Sequence, residues 1–71
     1  MKTLINNVKA ALLDGKIKRK DDWTVTFSNG AVMAGYRWKN DINADAICIA
    51  NSLKSHKEMF NGYDYVMSLY K

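Results

Sequence analysis

Residues 23–38, Trp-Thr-Val-Thr-Phe-Ser-Asn-Gly-Ala-Val-Met-Ala-Gly-Tyr-Arg-Trp, decide the fold of this chain. Apolar and polar side chains alternate from Trp23 to Phe27, which is typical of a half-buried strand. Asn29-Gly30 then forms the preferred pair for a two-residue type I′ turn, because both central residues of that turn need positive φ. The pattern predicts a β-hairpin whose second arm covers residues 31–38.

Placing Asn29-Gly30 at the centre of the turn sets the predicted register of the hairpin. One face then carries aromatic and aliphatic pairs that are expected to face the core: Trp23 with Tyr36, Val25 with Ala34, and Phe27 with Val32. The other face is predicted to be polar, with an opposite-charge pair at its end: Asp22 with Arg37, Thr24 with Gly35, and Thr26 with Met33. A slip of one residue would move side chains to the opposite face.

Residues 3–14 predict a first helix, since apolar side chains recur there at helical spacing. Thr3 is the predicted N-cap, and Gly15 lies where a helix commonly ends in the left-handed conformation. The connector 16–22 is polar apart from Ile17. It could form a short edge strand, although its two adjacent aspartates are poor strand formers.

The second half of the chain predicts a second helix and an ambiguous C-terminal segment. The helix has Asp41 or Asn43 as its N-cap and ends near Met59, before the Asn61-Gly62 stop signal. Residues 63–71 fit either a strand or a short helix. A strand is preferred because Tyr and Val favour strands and because a two-stranded hairpin is too small to cover two helices.

Length and composition favour one small domain, residues 1–71. The chain has 71 residues, of which 48% are hydrophobic, near the lower limit for a single hydrophobic core. We expect a two-layer α+β fold in the order helix, β-hairpin, helix, then a C-terminal strand or short helix, with α-β-β-α-β preferred. Cys48 is the single cysteine, so a reducing cytoplasm is expected. No apolar run approaches the ~20 residues that cross a bilayer, which predicts no membrane association.

Positive charge is concentrated at the start of the chain. Residues 1–20 contain six basic residues and one aspartate, a net charge of +5, whereas residues 21–71 carry a net charge of −1. The densest run is Lys16-Ile17-Lys18-Arg19-Lys20. It indicates either a patch that contacts phosphates or a solvated connector that prevents edge-to-edge pairing of strands. Both interpretations fit the sequence.

No combination of residues predicts catalysis, a metal site or a cofactor site. His56 is the only histidine, and on one helix it lies about 12 Å along the axis from Cys48, too far for a Cys-His nucleophilic pair. The aspartates are expected to have structural roles: helix capping and interaction with the helix dipole for Asp41 and Asp45, and pairing with an arginine for Asp22. The chain also lacks a glycine-rich phosphate-binding loop. We therefore expect a protein that is not an enzyme.

In general composition, the short, proline-free chain rich in Lys, Asn and Tyr resembles small accessory proteins of phages and mobile elements. The resemblance covers no motif and implies stoichiometric binding. We expect a non-enzymatic protein that docks on a host protein, such as nucleic-acid-handling machinery, in the host cytoplasm and modulates or inhibits it. The alternative is direct binding of DNA or RNA through residues 16–20 and the hairpin, and a homodimer paired along an open hairpin edge is a third hypothesis. The predicted partner-binding residues are side chains of the basic run and the hairpin: Lys16, Lys18, Arg19, Lys20, Met33, Arg37, Trp38 and Lys39.

Overall fold

The computed structural model describes residues 2–55 and 61–70 of the chain. Within these residues lie three helices and a three-stranded antiparallel sheet. In chain order the elements are α1 (Lys2–Asp14), β1 (Ile17–Arg19), β2 (Thr24–Phe27), β3 (Val32–Ala34), α2 (Ile42–Ser55) and α3 (Gly62–Leu69). The predicted α+β class is confirmed, and the differences from the preferred order lie at β1 and α3.

β1 is an edge strand, the possibility that the sequence left open for residues 16–22. It pairs antiparallel with β2, with Ile17 opposite Phe27. Burial explains why a strand forms in this polar segment, since Ile17 is 1% exposed and joins the core. The adjacent aspartates lie beyond the strand, in the turn where Lys20 N–H donates to the Thr24 carbonyl (3.0 Å).

The hairpin forms as predicted, but its register differs by one residue. Val25 lies opposite Met33, and Thr26 lies opposite Val32. The predicted register, which placed Thr26 opposite Met33, is wrong. The sheet order is β1-β2-β3, so the strand that leads into the hairpin is the central one.

A three-residue loop, residues 28–30, causes this difference in register. Gly30 has a φ of 92°, whereas no described residue other than glycine has a positive φ. The expected type I′ turn needs positive φ at both of its central residues, so it does not form at Asn29-Gly30. Instead Phe27 N–H donates to the Ala31 carbonyl (2.9 Å), and Gly30 N–H donates to the Phe27 carbonyl (3.0 Å). The result is a three-residue hairpin loop with glycine in the left-handed position.

The shift by one residue exchanges the two faces of β3. Met33 is buried at 6% exposure, while Val32 is 63% exposed. The prediction that Val32, Ala34 and Tyr36 face the core is therefore wrong. The same prediction for Trp23 is also wrong, although this residue precedes β2 and the shift of β3 does not change its face. Ala34 is exposed, and Trp23 and Tyr36 are 67% and 51% exposed.

All three helices pack on the same face of the sheet and form one core with it. The inward-facing residues of the strands meet the apolar stripes of the helices there. The buried apolar residues are Leu4, Val8, Ala11, Ile17, Val25, Phe27, Met33, Ala46, Ile49, Ala50, Leu53 and Val66.

The boundaries of α1 agree with the sequence at its end but not at its start. The helix already includes Lys2, so Thr3 lies within it and the predicted N-cap is wrong. Gly15 ends the helix as predicted, with a φ of 77°. Lys16 N–H then donates to the Ala11 carbonyl (2.9 Å), which satisfies a carbonyl of the last helical turn.

Asp41 caps α2, as one of the two predicted N-caps. Its Oδ2 accepts the N–H of Ala44 (3.1 Å), which satisfies a donor of the first turn. The predicted end of this helix near Met59 lies outside the described residues. None of the described helices is long and apolar enough to pass through a lipid bilayer.

The sequence predicts a strand or a short helix for residues 63–71, and residues 63–69 belong to α3, with Tyr70 as its C-cap. The preferred strand is therefore wrong, and the helical alternative is confirmed. Asn61 caps the helix by accepting the N–H of Asp64 (3.2 Å), so the Asn-Gly pair precedes a helix here. Val66 is fully buried and brings α3 into the core.

Candidate functional site

The side of the sheet opposite the helices is the open face of the protein. It consists of the outward-facing residues of the strands: Lys18, Thr24, Thr26, Val32 and Ala34. The residues on the edge strands, Lys18, Val32 and Ala34, are exposed, and Thr24 and Thr26 on the central strand are half-buried. No helix or strand of the described chain covers this face, since all three helices share the core on the other side.

A row of lysines runs along the β1 edge of the open face. The lysine row is Lys16, Lys18 and Lys20, and all three are exposed. Side chains alternate along a strand, and Ile17 and Arg19 point inward, so the lysines between and beside them point outward. Pairing with β2 continues at both ends of the row. The Lys16 carbonyl accepts Ser28 N–H (2.9 Å), and Lys20 N–H donates to the Thr24 carbonyl (3.0 Å).

The aromatic pair, Trp23 and Tyr36, lies at the end of the sheet nearest Lys20. The two ring centroids are 4.7 Å apart, and the ring planes are tilted by 45°. Gly35 N–H donates to the Trp23 carbonyl (2.9 Å), which holds the two chain segments together at this point. Trp38 follows two residues after Tyr36 and is 71% exposed. Exposed aromatic surface is therefore concentrated at this end of the sheet.

Asp22 and Arg37 form an exposed ion pair beside the aromatic pair, as the sequence predicted. Arg37 Nη2 lies 2.6 Å from Asp22 Oδ1. Arg37 N–H also donates to the Asp22 carbonyl (2.8 Å), one residue out of the register of β2 and β3. Between the Gly35–Trp23 and Arg37–Asp22 hydrogen bonds, the second arm of the hairpin has one residue more than the first. This extra residue offsets the shift in register, so Arg37 still lies beside Asp22.

The turn between β1 and β2 carries a further carboxylate, Asp21. Trp23 N–H donates to Asp21 Oδ1 (2.8 Å). This hydrogen bond lowers the pKa of the Asp21 carboxyl below its ordinary value, because it stabilises the charged form. The carboxylate in turn fixes the backbone that presents Trp23.

Arg19 was predicted to bind a partner, but its side chain is nearly buried and pairs within the fold. Its guanidinium forms an ion pair with Asp45 of α2, and both side chains are 8% exposed. Arg19 Nε donates to Asp45 Oδ2 (3.2 Å), and Nη2 donates to Oδ1. Nη1 donates to the carbonyls of Gly35 and Asp21. The carboxylate that the sequence attributed to the helix dipole therefore anchors β1 and the aromatic end of the sheet to α2.

Met33 is also corrected from a partner-binding residue to a core residue. It is 6% exposed and faces Val25. Its predicted place on the polar face followed from the two-residue turn, which does not form.

The remaining predicted residues stay at the surface. Arg37 is half-buried and paired, and the others are exposed: Lys16, Lys18, Lys20, Trp38 and Lys39. Sequence reasoning missed Trp23, Tyr36 and Val32 as surface residues because it placed them in the core. For Val32 and Tyr36 the signal that could have found them is Ser28-Asn29-Gly30, which fits a three-residue loop as well as a two-residue turn.

No group of three or more His, Cys, Asp or Glu side chains among residues 2–55 and 61–70 is placed to hold a metal ion. Cys48 is a free, half-buried thiol on α2. His56 lies outside the described residues.

Comparison with known proteins gives no relative for this chain: no family model, curated protein or solved structure matches it. The open face is therefore interpreted from its own residues.

Proposed function

We propose that this protein is a non-enzymatic binding protein that docks its open face on a macromolecular partner and thereby modulates or inhibits that partner. The observation that carries the proposal is the exposed aromatic pair at the end of an uncovered sheet. Contiguous apolar surface on a small protein commonly marks an interaction site, because its contact with water is unfavourable. Trp38, two residues after Tyr36, is 71% exposed, and Val32 at the hairpin-loop end of the sheet is a separate exposed apolar residue, at 63%.

The backbone around the aromatic pair is fixed before any partner binds. Hydrogen bonds from Gly35 to Trp23 and from Arg37 to Asp22 join its two chain segments. Nη1 of the buried Arg19 guanidinium donates a hydrogen bond to the Gly35 carbonyl from the core side of the sheet. A surface held in this way loses little conformational entropy on binding, which favours affinity.

Two partner classes fit the open face: a host protein, including machinery that handles nucleic acid, and nucleic acid itself. Trp and Tyr anchor protein interfaces, and they also stack on bases. A homodimer has less support, because β1 and β3 are edge strands of three residues each and offer few backbone groups for pairing. We place the protein in the cytoplasm, since the single Cys48 suits a reducing compartment.

Site-specific photo-crosslinking in cells of the native source tests this proposal. A photoreactive phenylalanine analogue replaces Trp38 in one variant and Leu13 of α1 in the other. The two positions are matched, since both residues are 71% exposed. We expect a discrete adduct from position 38 and none from position 13. Absence of an adduct at 38, or equal adducts at both positions, would rule out docking through the open face.

A further inference from the structure

We infer that the partner of the open face is single-stranded nucleic acid, with its phosphates on the lysine row and its bases stacked on the aromatic pair. This inference rests on the proposed function and adds the chemistry of the partner. DNA and RNA single strands share that chemistry, a repeating phosphate charge beside planar bases.

Charge is the first support for a polyanionic partner. The ionisable side chains that project from the open face and its β1 edge are those of the lysine row, and no described acidic residue projects there. The carboxylates that flank the row along the chain are Asp14, which accepts a hydrogen bond from the Tyr70 hydroxyl (2.8 Å), and Asp21 and Asp22 in the turn at the aromatic end. Arg37 neutralises Asp22, and Asp21 lies beside Lys20. The face is therefore cationic along one whole edge, which attracts phosphates.

The spacing of the lysine row is the second support. Alternate residues of a strand lie about 6.8 Å apart, so the row of three lysines extends over roughly 13 Å. The step of about 6.8 Å between neighbouring lysines is comparable with the distance between successive phosphates of an extended single strand. Each lysine can then contact a phosphate of its own while the strand follows β1.

The aromatic pair gives the third support, because it lies where the lysine row ends. Trp23 follows Lys20 through the turn between β1 and β2, and the ring of Tyr36 lies 4.7 Å from that of Trp23, so a strand that follows the row meets this pair beyond Lys20. Exposed ring faces stack on unpaired bases of any sequence. Bases of a duplex show only their edges in the grooves, so this surface favours single strands.

The same residues argue against a protein as the direct partner. Protein interfaces are enriched in Trp and Tyr but depleted in lysine. A surface that combines aromatic rings with a row of lysines matches the electrostatic groove and stacking platform of single-strand binders.

Tryptophan fluorescence measures this binding at the site itself. The chain contains two tryptophans: Trp23 belongs to the aromatic pair, Trp38 follows Tyr36 by two residues, and both are exposed. Stacked bases are expected to quench them on titration with oligothymidylate or oligouridylate of about a dozen nucleotides. A duplex of the same length is expected to bind more weakly. Fluorescence anisotropy of the labelled oligonucleotide gives the affinity independently.

Two triple variants distinguish the contribution of the lysine row from that of the overall positive charge of the protein. Lys16→Gln/Lys18→Gln/Lys20→Gln removes the lysine row and is expected to reduce the slope of log K against log salt by about 2. The control triple removes the same charge from α1 and α2: Lys2→Gln, Lys9→Gln and Lys54→Gln. The control is expected to keep most of the slope and of the affinity.

Aromatic variants test stacking. Tyr36→Ala is expected to weaken binding roughly 5- to 150-fold, the loss of one stacked base, whereas Leu13→Ala on α1 is expected to have no effect. Circular dichroism shows whether each variant is folded.

Failure of this inference can be told apart from failure of the proposed function. The inference is overturned if no single strand binds at low salt, if duplex binds as tightly, or if both lysine triples weaken binding equally. A protein adduct from position 38 in the crosslinking experiment, without oligonucleotide binding, overturns the inference and leaves the proposed function standing.

Discussion

At the scale of single residues, Arg19 shows how burial separates the roles of adjacent charges. The sequence places it in a basic run between two lysines, and composition assigns the same role to all of them. In the structure the Arg19 side chain is 8% exposed and paired with Asp45. The partner is 26 residues away along the chain, so no local pattern identifies it.

Asp45→Ala is expected to destabilise the fold by about 3–5 kcal/mol, because it leaves the Arg19 charge buried without a partner. The matched control is Asp22→Ala, which removes the carboxylate of the exposed pair with Arg37 and is expected to cost less than about 1 kcal/mol. Urea unfolding followed by circular dichroism measures both. Equal losses of stability in the two variants would contradict the burial of the Arg19–Asp45 pair.

At the scale of elements, the sequence predicts the hairpin and the first two helices but not the pairing within the hairpin. Helical periodicity and the Gly15 stop signal depend on local properties of the chain, and they agree with the structure. The register depends on whether Asn29 adopts positive φ, and in the structure it does not. One local conformation therefore decides whether Met33 or Val32 enters the core, a difference that alternation alone cannot settle.

A disulfide tests this register directly. In a Cys48→Ser background, Thr26→Cys/Val32→Cys is expected to oxidise readily, because these residues lie opposite each other in a non-hydrogen-bonded pair, about 4.5 Å apart at Cα. The control, Thr24→Cys/Val32→Cys, joins diagonal positions about 7–8 Å apart and is expected to resist oxidation. Mass spectrometry and thiol labelling give the extent of each bond. Failure of the first pair to oxidise in the folded protein would support the register of the two-residue turn.

At the scale of the whole molecule, the open face depends on where α3 packs. Val66 of α3 joins α1 and α2 in the core, so all three helices lie on one side of the sheet. The sequence leaves residues 63–71 as strand or helix, because Tyr and Val favour a strand while the apolar spacing also fits a helix. Packing decides between them, and packing is not a local property.

The candidate site was predicted in part for the same reason. Composition identifies the lysine row as a cluster of charge, but only the pairing of β1 shows that its side chains share a face with Thr24 and Thr26. The exposed aromatic pair could not be predicted from the two-residue turn, which turns Trp23 and Tyr36 inward. The loop that shifts the register accounts for the exposure of Tyr36, which follows β3, but not for that of Trp23, which precedes β2.

Chemical-shift mapping by NMR tests most directly whether the open face is the working surface. Isotope-labelled protein is titrated with an unlabelled single-stranded oligonucleotide, and the backbone amides are followed. We expect the largest shifts in residues 16–20, 24–26 and 32–38, and small shifts in α1 and α3. Shifts confined to the helices, or no shifts at saturating oligonucleotide, would contradict the assignment of the open face as the nucleic-acid-binding surface.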